Sequence, residues 1–596
     1  MEPHRRRSRY RPQIPARRRK RTALAAAAAF VIVAPILFYV LQASTSRRAI
    51  VPADLQLARV TGSGDIQVAD ISPDGNYVAY VREAGGQQSL WLKQLASGRV
   101  LQLAQIGAYQ CLGIVFSPDG NYVYFVRRQA LESSGELYQV PFLGGAPVKL
   151  LDGVSGEPAV SPNGRTVAFI RSTLATHGED SLVTAALDGS NERTLASYKA
   201  PGIHFNRVAW TADGKTLVYP LQSNLMAIPA EGGTARQLTS NQWTTIDDLW
   251  SLPPGRDLIV VGQLSASEHS QIFEVSLGGG GIRPITHDLS NYAEVRATAD
   301  GKALLAVQDV VLSNIQVLKP GVESEPHSLS AENQNRDGVV GLTWAPQGQI
   351  VFQSEADQHR DLMEMDADGS NSRLLDQSDP QALFADPAVS PRGDFIVSGR
   401  WSANDVGNIW RIDIPGGDEK RLTTGEQDSY PSITPDGQWV VYASTQGNES
   451  VLTKVASQGG PAVRLTAYNA DFPSVSPDGM WIACSYVAHP NQPPSLAIVP
   501  IGGGSPAKVI ELPETASPPP LVWTPDGSAV AFINNVDGVS NIWEQPVSGG
   551  PATPVTHFPS GRIFNFDWSR EGRLALARGA ETIDVVLIKN VRETSR

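Results

Sequence analysis

Nine histidines, two cysteines and sixty acidic residues supply groups for acid–base, metal or nucleophilic chemistry, but their spacing assembles none of these. No His-Glu-x-x-His or other zinc spacing occurs, and no Gly-x-Ser-x-Gly nucleophile turn. His359-Arg360-Asp361-Leu362 has the form of a kinase catalytic loop, yet no glycine-rich phosphate loop, strand lysine or Asp-Phe-Gly accompanies it, so the match is read as fortuitous. Asp366-Ala367-Asp368-Gly369-Ser370-Asn371 has part of a calcium loop but lacks its third acidic position and closing Glu. The run Gly278 to Gly281 precedes no helix and is a turn rather than a phosphate cradle. No catalytic residue, metal ligand or cofactor is assigned. Four side chains remain as ligand or partner candidates. His287 and His557 end matching segments, Pro284-Ile285-Thr286-His287 and Pro554-Val555-Thr556-His557, and Trp243 and Trp250 fall outside the regular tryptophan pattern, in a link around Asp247-Asp248.

The elements that must position such residues are set by a repeat. Twelve times an apolar run meets a turn of the form Ser/Thr-Pro-Asp-Gly and leaves as another apolar run. Clear copies are Ser72-Pro73-Asp74-Gly75, Ser117-Pro118-Asp119-Gly120, Thr434-Pro435-Asp436-Gly437, Ser476-Pro477-Asp478-Gly479 and Thr524-Pro525-Asp526-Gly527. Spacings between the twelve turn glycines, Gly75 to Gly572, run from 41 to 50 residues, the period of a four-stranded propeller blade. In the ninth copy Ser432-Ile433-Thr434, Trp439-Val440-Val441-Tyr442, Val451 to Val455 and Val463 to Thr466 read as four antiparallel strands, with Gly459-Gly460 as a hairpin turn. Five copies replace the turn Asp by Asn163, Pro254, Gln347, Arg392 or Glu571. That tolerance fits a geometric role and not a catalytic carboxylate.

The Ser-Pro-Asp-Gly turn, the Asn-Ile-Trp strand (Asn408-Ile409-Trp410, Asn541-Ile542-Trp543) and the Arg-Leu-Thr strand (Arg421-Leu422-Thr423, Arg464-Leu465-Thr466) resemble the TolB-like, WD-repeat-like β-propellers of bacteria over roughly residues 55 to 590. The chain is also similar to the extracytoplasmic propeller half of membrane-anchored bacterial Ser/Thr kinases and winged-helix regulators, but the 21 residues before its apolar segment leave no room for a kinase or DNA-binding domain. The resemblance implies an all-β fold, protein–protein interaction in the cell envelope, and sensing.

The expected fold is twelve four-stranded blades in two tandem six-bladed propellers, residues 55–322 and 323–590, followed by a tail, 591–596. The sixth and twelfth copies end on third strands, Asn314 to Leu318 and Asp584 to Ile588, without a good fourth strand. Leu57 to Thr61 is expected to complete the sixth blade and His327 to Ser330 the twelfth, with a boundary at Lys319 to Pro326. The alternative has Leu57 to Thr61 closing the twelfth blade and tying both rings together.

The net charge of −11 conceals a split: residues 1–21 hold nine Arg and one Lys against one Glu, leaving −20 on the remainder. Residues 22–43 are uncharged and long enough for a transmembrane helix; Arg17 to Arg21 then sets the N-terminus in the cytoplasm, and 44–54 is a linker. A cleaved signal peptide is the rival, against which Leu41 two places before Ala43 fits the cleavage pattern poorly. The basic tail beside a span is a topology and lipid signal, not a nucleic-acid site. Cys111 and Cys484 read as small buried hydrophobes. The expected protein is a single-pass inner-membrane anchor carrying periplasmic or extracellular propellers that bind an envelope protein or peptide. The alternative is an extracytoplasmic hydrolase acting on a glycan or small ester.

Overall fold

The computed structural model describes residues 55–591 except 130–133, 173–178, 200–206, 241–242, 254, 256, 265–268, 279–280, 319–326, 331–335, 357–358, 376–382, 403–404, 415–416, 447–448 and 489–493. The expected tail 1–21, span 22–43, linker 44–54 and boundary 319–326 lie outside the described residues. Among those described there is no helix, and so none long and apolar enough to cross a membrane. In eight copies the described strands pair in sequence order into a four-stranded antiparallel sheet, consistent with propeller blades, while the seventh and eighth copies share an eight-stranded sheet and the sixth and twelfth a six-stranded one. In the ninth copy the strands are Gln427–Ile433, Trp439–Gln446, Glu449–Ala456 and Val463–Arg464.

Alternation along the second strand explains why the sheets stack. Val440 and Tyr442 join a cluster with Phe395, Val397 and Ile409 of the eighth copy, while Val441 joins Ile482, Cys484 and Ala497 of the tenth. Each copy therefore buries both faces against neighbours, at roughly 1.5–3 kcal/mol per large aliphatic side chain. Both cysteines are buried in such clusters, and burial pushes each thiol up to about 12. Val591, assigned to the tail, is buried as well.

The turns lock themselves. Ser72 Oγ donates to Asp74 (2.6 Å) and accepts the Tyr77 N–H (2.9 Å), and Asp74 accepts the Asn76 N–H (3.0 Å). Ser117, Thr434, Ser476 and Thr524 repeat the arrangement. The Ser72 hydroxyl is the main reason the Asp74 carboxyl sits below its ordinary range. Gly75 follows at φ 72°, open to glycine without steric cost.

One expectation is corrected. The third strands of the sixth and twelfth copies are exchanged. Ala303–Leu318 and Leu574–Lys589 run antiparallel over their full length, from Ala303 against Lys589 to Leu318 against Leu574. Asp584 to Ile588 therefore lies beside Ala303 to Asp309 of the sixth copy, and Asn314 to Leu318 beside Leu574 to Gly579 of the twelfth, whose other edge carries Arg562–Trp568. Gln56–Arg59 pairs with the end of Leu574–Lys589 on the sixth-copy side, and His327–Ser328 pairs with Ala303–Leu318 on the twelfth-copy side. The first strand thus completes the sixth copy's sheet and ties in the twelfth at once. Within the ninth copy all pairing is antiparallel as expected, and isolated parallel bridges, Arg360 to Leu383, Asp65 to Ile583 and Ser313 to Arg336, occur between copies. Across the two halves His269 Nε2 meets Glu355 Oε1, both side chains being buried.

Candidate functional site

Every first strand runs inward toward a cavity before reaching its turn. Counting four residues back from the turn Ser, Thr or equivalent gives an inner position in each copy: Val68, Gly113, Glu157, Arg207, Asp248 and Glu294, then Gly341, Asp386, Tyr430, Phe472, Pro520 and Asn565. At most of them the ladder slips by a bulge, for instance between Ile246 and Asp248, Ser429 and Ser432, or Asp471 and Ser474. A bulge re-aims a side chain out of the sheet plane. The inner position is therefore where the repeat can carry function without disturbing its packing.

In the first six copies Glu157, Arg207, Asp248 and Glu294 build a buried ion network with Asp70 and Arg296, which lie two residues beyond the inner positions Val68 and Glu294. Arg296 Nη1 lies 2.6 Å from Asp248, Arg296 Nη2 meets Glu157, and Arg296 Nε lies 3.8 Å from Asp70. Arg207 reaches Asp248 (3.3 Å), Glu294 (3.4 Å) and Glu157 (3.6 Å). Gly113 makes room, because a Cβ there would stand 2.5 Å from Glu157 Cγ. The carboxylates also bridge copies: Asp70 accepts the Phe116 N–H (2.6 Å), Asp248 that of Val295 (2.8 Å), and Glu294 that of Ala69 (2.9 Å), joining the sixth copy to the first. Four acids face two arginines. Burial pushes Asp70 up to about 7 against the pull of Arg296. Burial and neighbouring Glu157 push Glu294 up to about 8. Over the turn side of this network lies a cavity of about 320 Å³, walled by Pro73, Pro118, Pro162 and Pro253 with Phe116, Trp210 and Trp250. Trp250 forms its floor over the Arg296 guanidinium, 4.7 Å from ring centre.

The last six copies are built differently. A depression of about 170 Å³ is lined by all six inner positions and by Pro387, Pro431, Pro473 and Pro519. Asp386, Tyr430 and Phe472 hold left-handed backbone at φ 50°, 54° and 53°, although none is glycine. Such residues cost about 1–2 kcal/mol each and cluster at functional sites. The Tyr430 and Phe472 rings pack edge to face, 4.5 Å apart. Gly341 is required beside them, since its Cβ would lie 2.5 Å from Pro387 Cδ. Asp567 accepts the Thr343 hydroxyl and the Trp344 N–H, both at 2.9 Å, joining the twelfth copy to the seventh. Burial pushes Asp386 up to about 7, with Arg360 opposing and Asp471 adding to the rise.

Of the four sequence candidates, the structure brings only Trp250 to a cavity. Both tryptophans lie on the strand Trp243–Leu252 and not in a link. Trp243 is buried edge-on against Phe273. His287 and His557 are exposed beyond outermost strands, and the preceding Thr286 and Thr556 accept backbone N–H groups of Ile272 and Ile542. His359–Asp366 is a plain strand, with Arg360 facing Glu355. In the supposed calcium loop Asp368 accepts Ser370 N–H and Asn371 donates to Asp366, as a hairpin does. Among the described residues no group of three His, Cys, Asp or Glu is placed to hold a metal. The inner residues Asp386, Tyr430 and Phe472 were not singled out from sequence. Their signal is a run of x-Pro pairs four residues before the turn, legible once copies are aligned on their turn glycines.

Sheets of four strands, stacked through both faces and carrying variable side chains at one inner position, define a propeller-type repeat protein. The family model for the TolB β-propeller domain matches residues 157–385 and 344–473, more than half of the chain, and the protein belongs to that family. Among curated proteins, the Tol-Pal system protein TolB of Bordetella avium is 40% identical over 60 residues, covering 10% of this chain and 14% of that protein. An uncharacterized protein of Agrobacterium fabrum is 30% identical over 172 residues, 28% of this chain and 55% of its own. The chain thus spans 14% and 55% of the lengths of these relatives. Among solved structures, a putative TolB from Agrobacterium tumefaciens aligns at 18% identity and a TM-score of 0.19, covering 46% of this chain and 83% of that one. The tricorn protease aligns at 11% and 0.30, covering 85% and 59%.

Proposed function

We propose that the chain is a membrane-anchored, extracytoplasmic interaction module of the bacterial envelope, in which two six-bladed propellers present a protein- or peptide-binding surface and act in sensing. The observation that carries this reading is the pair of cavities, each lined by first strands of six successive copies. Closure of the sixth copy on the first through Glu294 and Ala69, and of the twelfth on the seventh through Asp567 and Trp344, supports the two-ring count. Membership of the TolB propeller family supports protein binding. The uncharged run 22–43 behind a basic tail supports an inner-membrane anchor with the propellers outside. A small, aromatic-lined depression with one carboxylate that meets no described hydrogen-bond donor fits a protruding segment of a partner better than it fits catalysis.

A propeller hydrolase needs paired, accessible carboxyls. Those of the first six copies are buried against Arg207 and Arg296, and Asp567 is committed to Thr343 and Trp344. The test places a photo-crosslinking residue at Ser474 or Asn565 and irradiates intact cells. A discrete protein adduct, weakened by Phe472→Ala, is the expected result. No adduct under several growth conditions, together with glycan cleavage by the purified chain, would sink the binding reading.

A further inference from the structure

We propose that the depression in the last six copies is a receptor for an organic ammonium group, the side chain of a lysine on the bound segment, seated between the Asp386 carboxylate and the rings of Tyr430 and Phe472. This rests on the binding reading above and names the chemistry recognised.

The lining selects the charge. It contains Asp386 and Asp567 and no lysine, arginine or histidine. Most of its polar groups are already used within the wall. Asp567 accepts from Thr343 and Trp344. Ser432 Oγ accepts the Val475 N–H at 3.0 Å, and the Ser474 carbonyl accepts the Trp523 indole N–H at 2.9 Å. The Asn565 side-chain oxygen accepts the Phe566 N–H at 2.9 Å. Asp386 differs: its backbone N–H donates to the Val340 carbonyl at 2.7 Å, but no described donor meets its carboxylate. It is half-buried, so its charge is only partly answered by water and by the pull of Arg360, against which Asp471 acts, and an incoming cation would restore what burial takes away.

The rings select the kind of cation. Aromatic faces attract an ammonium within about 6 Å of the ring centre, most strongly where water is excluded. Pro387, Pro431, Pro473 and Pro519 contribute no N–H donor at four places in the wall, and the lining holds no cationic side chain, which leaves it poorly suited to an anion. Size selects the carrier. About 170 Å³ is close to the roughly 150 Å³ that admits a benzene-sized guest. The end of a lysine side chain fits, whereas a sugar chain or folded surface does not. The left-handed backbone at three successive inner positions is stored strain, and residues held this way are pre-organised before a ligand arrives.

The experiment is ligand-observed NMR on the full chain in detergent, with N-acetyl-lysine-methylamide as probe, N-acetyl-norleucine-methylamide as its uncharged counterpart, and butylamine as a free amine. The lysine probe is expected to bind at least 10-fold more tightly than the norleucine probe. Asp386→Asn, which keeps the shape, is expected to remove at least 10-fold of that affinity, and Phe472→Leu a smaller part, with unchanged thermal unfolding in both. Butylamine binding as tightly as the lysine probe, with the same Asp386 dependence, would keep the ammonium site but overturn the lysine assignment. Equal binding of the charged and uncharged probes, or Asp386→Asn without effect, would overturn the proposal. Crosslinking at Ser474 that persists in the Asp386→Asn variant would then show the partner reading intact and the ammonium inference alone to have failed.

Discussion

At one and the same place on the repeat, four residues before the turn, the first six copies carry Glu157, Arg207, Asp248 and Glu294 while the last six carry Asp386, Tyr430, Phe472 and Pro520. The sheets around them pack alike. One centre is filled with charges that answer one another and bridge neighbouring copies. The other keeps an acid that meets no described hydrogen-bond donor, two rings and a wall of prolines. The inner position is thus free of the demands of blade packing, and one half uses it for cohesion while the other lines a depression with it, the proposed recognition site.

The largest effect comes from separating the halves. The strands Ala303–Leu318 and Leu574–Lys589 each serve two sheets, and His269 pairs with Glu355 across them. Expressed alone, residues 55–322 lack the strand inserted beside Ala303 to Asp309, and residues 323–591 lack the one inserted beside Leu574 to Gly579. Neither piece is expected to give a sharp thermal transition alone, while co-expression should restore one protease-resistant complex. Two independently folding pieces would show that the halves are simple neighbours.

Next is Arg296→Met. It leaves Glu157, Asp248 and Asp70 buried against Arg207 alone, a loss of about 3–5 kcal/mol in chemical unfolding. Adding Asp248→Asn should recover part of it. No comparable loss is expected from Asp386→Asn, whose carboxylate meets no described donor. Equal losses at the two centres would erase the distinction drawn between them.

The same network sets a pH dependence. Glu294 at about 8 and Asp70 at about 7 titrate above the ordinary 4.5 and 3.8. Their folded forms hold protons that the unfolded chain has released, so their stabilisation is complete below about pH 4 and is lost as pH rises through 7 to 8. Unfolding of the first six copies should become easier by on the order of 4 kcal/mol between pH 6 and 9. Glu294→Gln, which can still accept the Ala69 N–H, should flatten the decline. A decline of equal slope in that variant would assign it elsewhere.

What the sequence disclosed follows the range of the interactions. The turns are closed by hydrogen bonds within five residues, Ser72 to Asp74 and Tyr77, so each copy announces itself locally. The strand exchange brings together residues such as Leu305 and Leu587. Both segments have the same pattern of apolar residues, and nothing local says which partner each takes. Trp250 was legible because it breaks the tryptophan pattern, and it does line a cavity. Trp243 breaks the pattern too, yet it fills space against Phe273 and Gly262. Irregularity marks a change of role without saying whether the role is packing or binding. Asp386, Tyr430 and Phe472 stayed hidden because each precedes a proline and reads as ordinary loop chemistry until the copies are superimposed.

The smallest effect is also the cleanest comparison, because it predicts opposite signs for one substitution at one repeat position. Asp386 holds φ 50°, a conformation that glycine adopts freely, so Asp386→Gly should stabilise by about 1 kcal/mol. The gain should grow as pH rises from about 4 to about 7 and level off above, because the wild-type carboxyl is raised to about 7 chiefly by burial and holds a proton over that range that the unfolded chain has released. Glu157 is not among the left-handed residues and pairs with both arginines, so Glu157→Gly should cost about 3 kcal/mol instead. Chemical unfolding at pH 6 and 8.5 measures both. If Asp386→Gly destabilised to the same degree, the strained backbone and open carboxylate would have to be regarded as ordinary scaffold, and the second centre would lose its claim to be the recognition site.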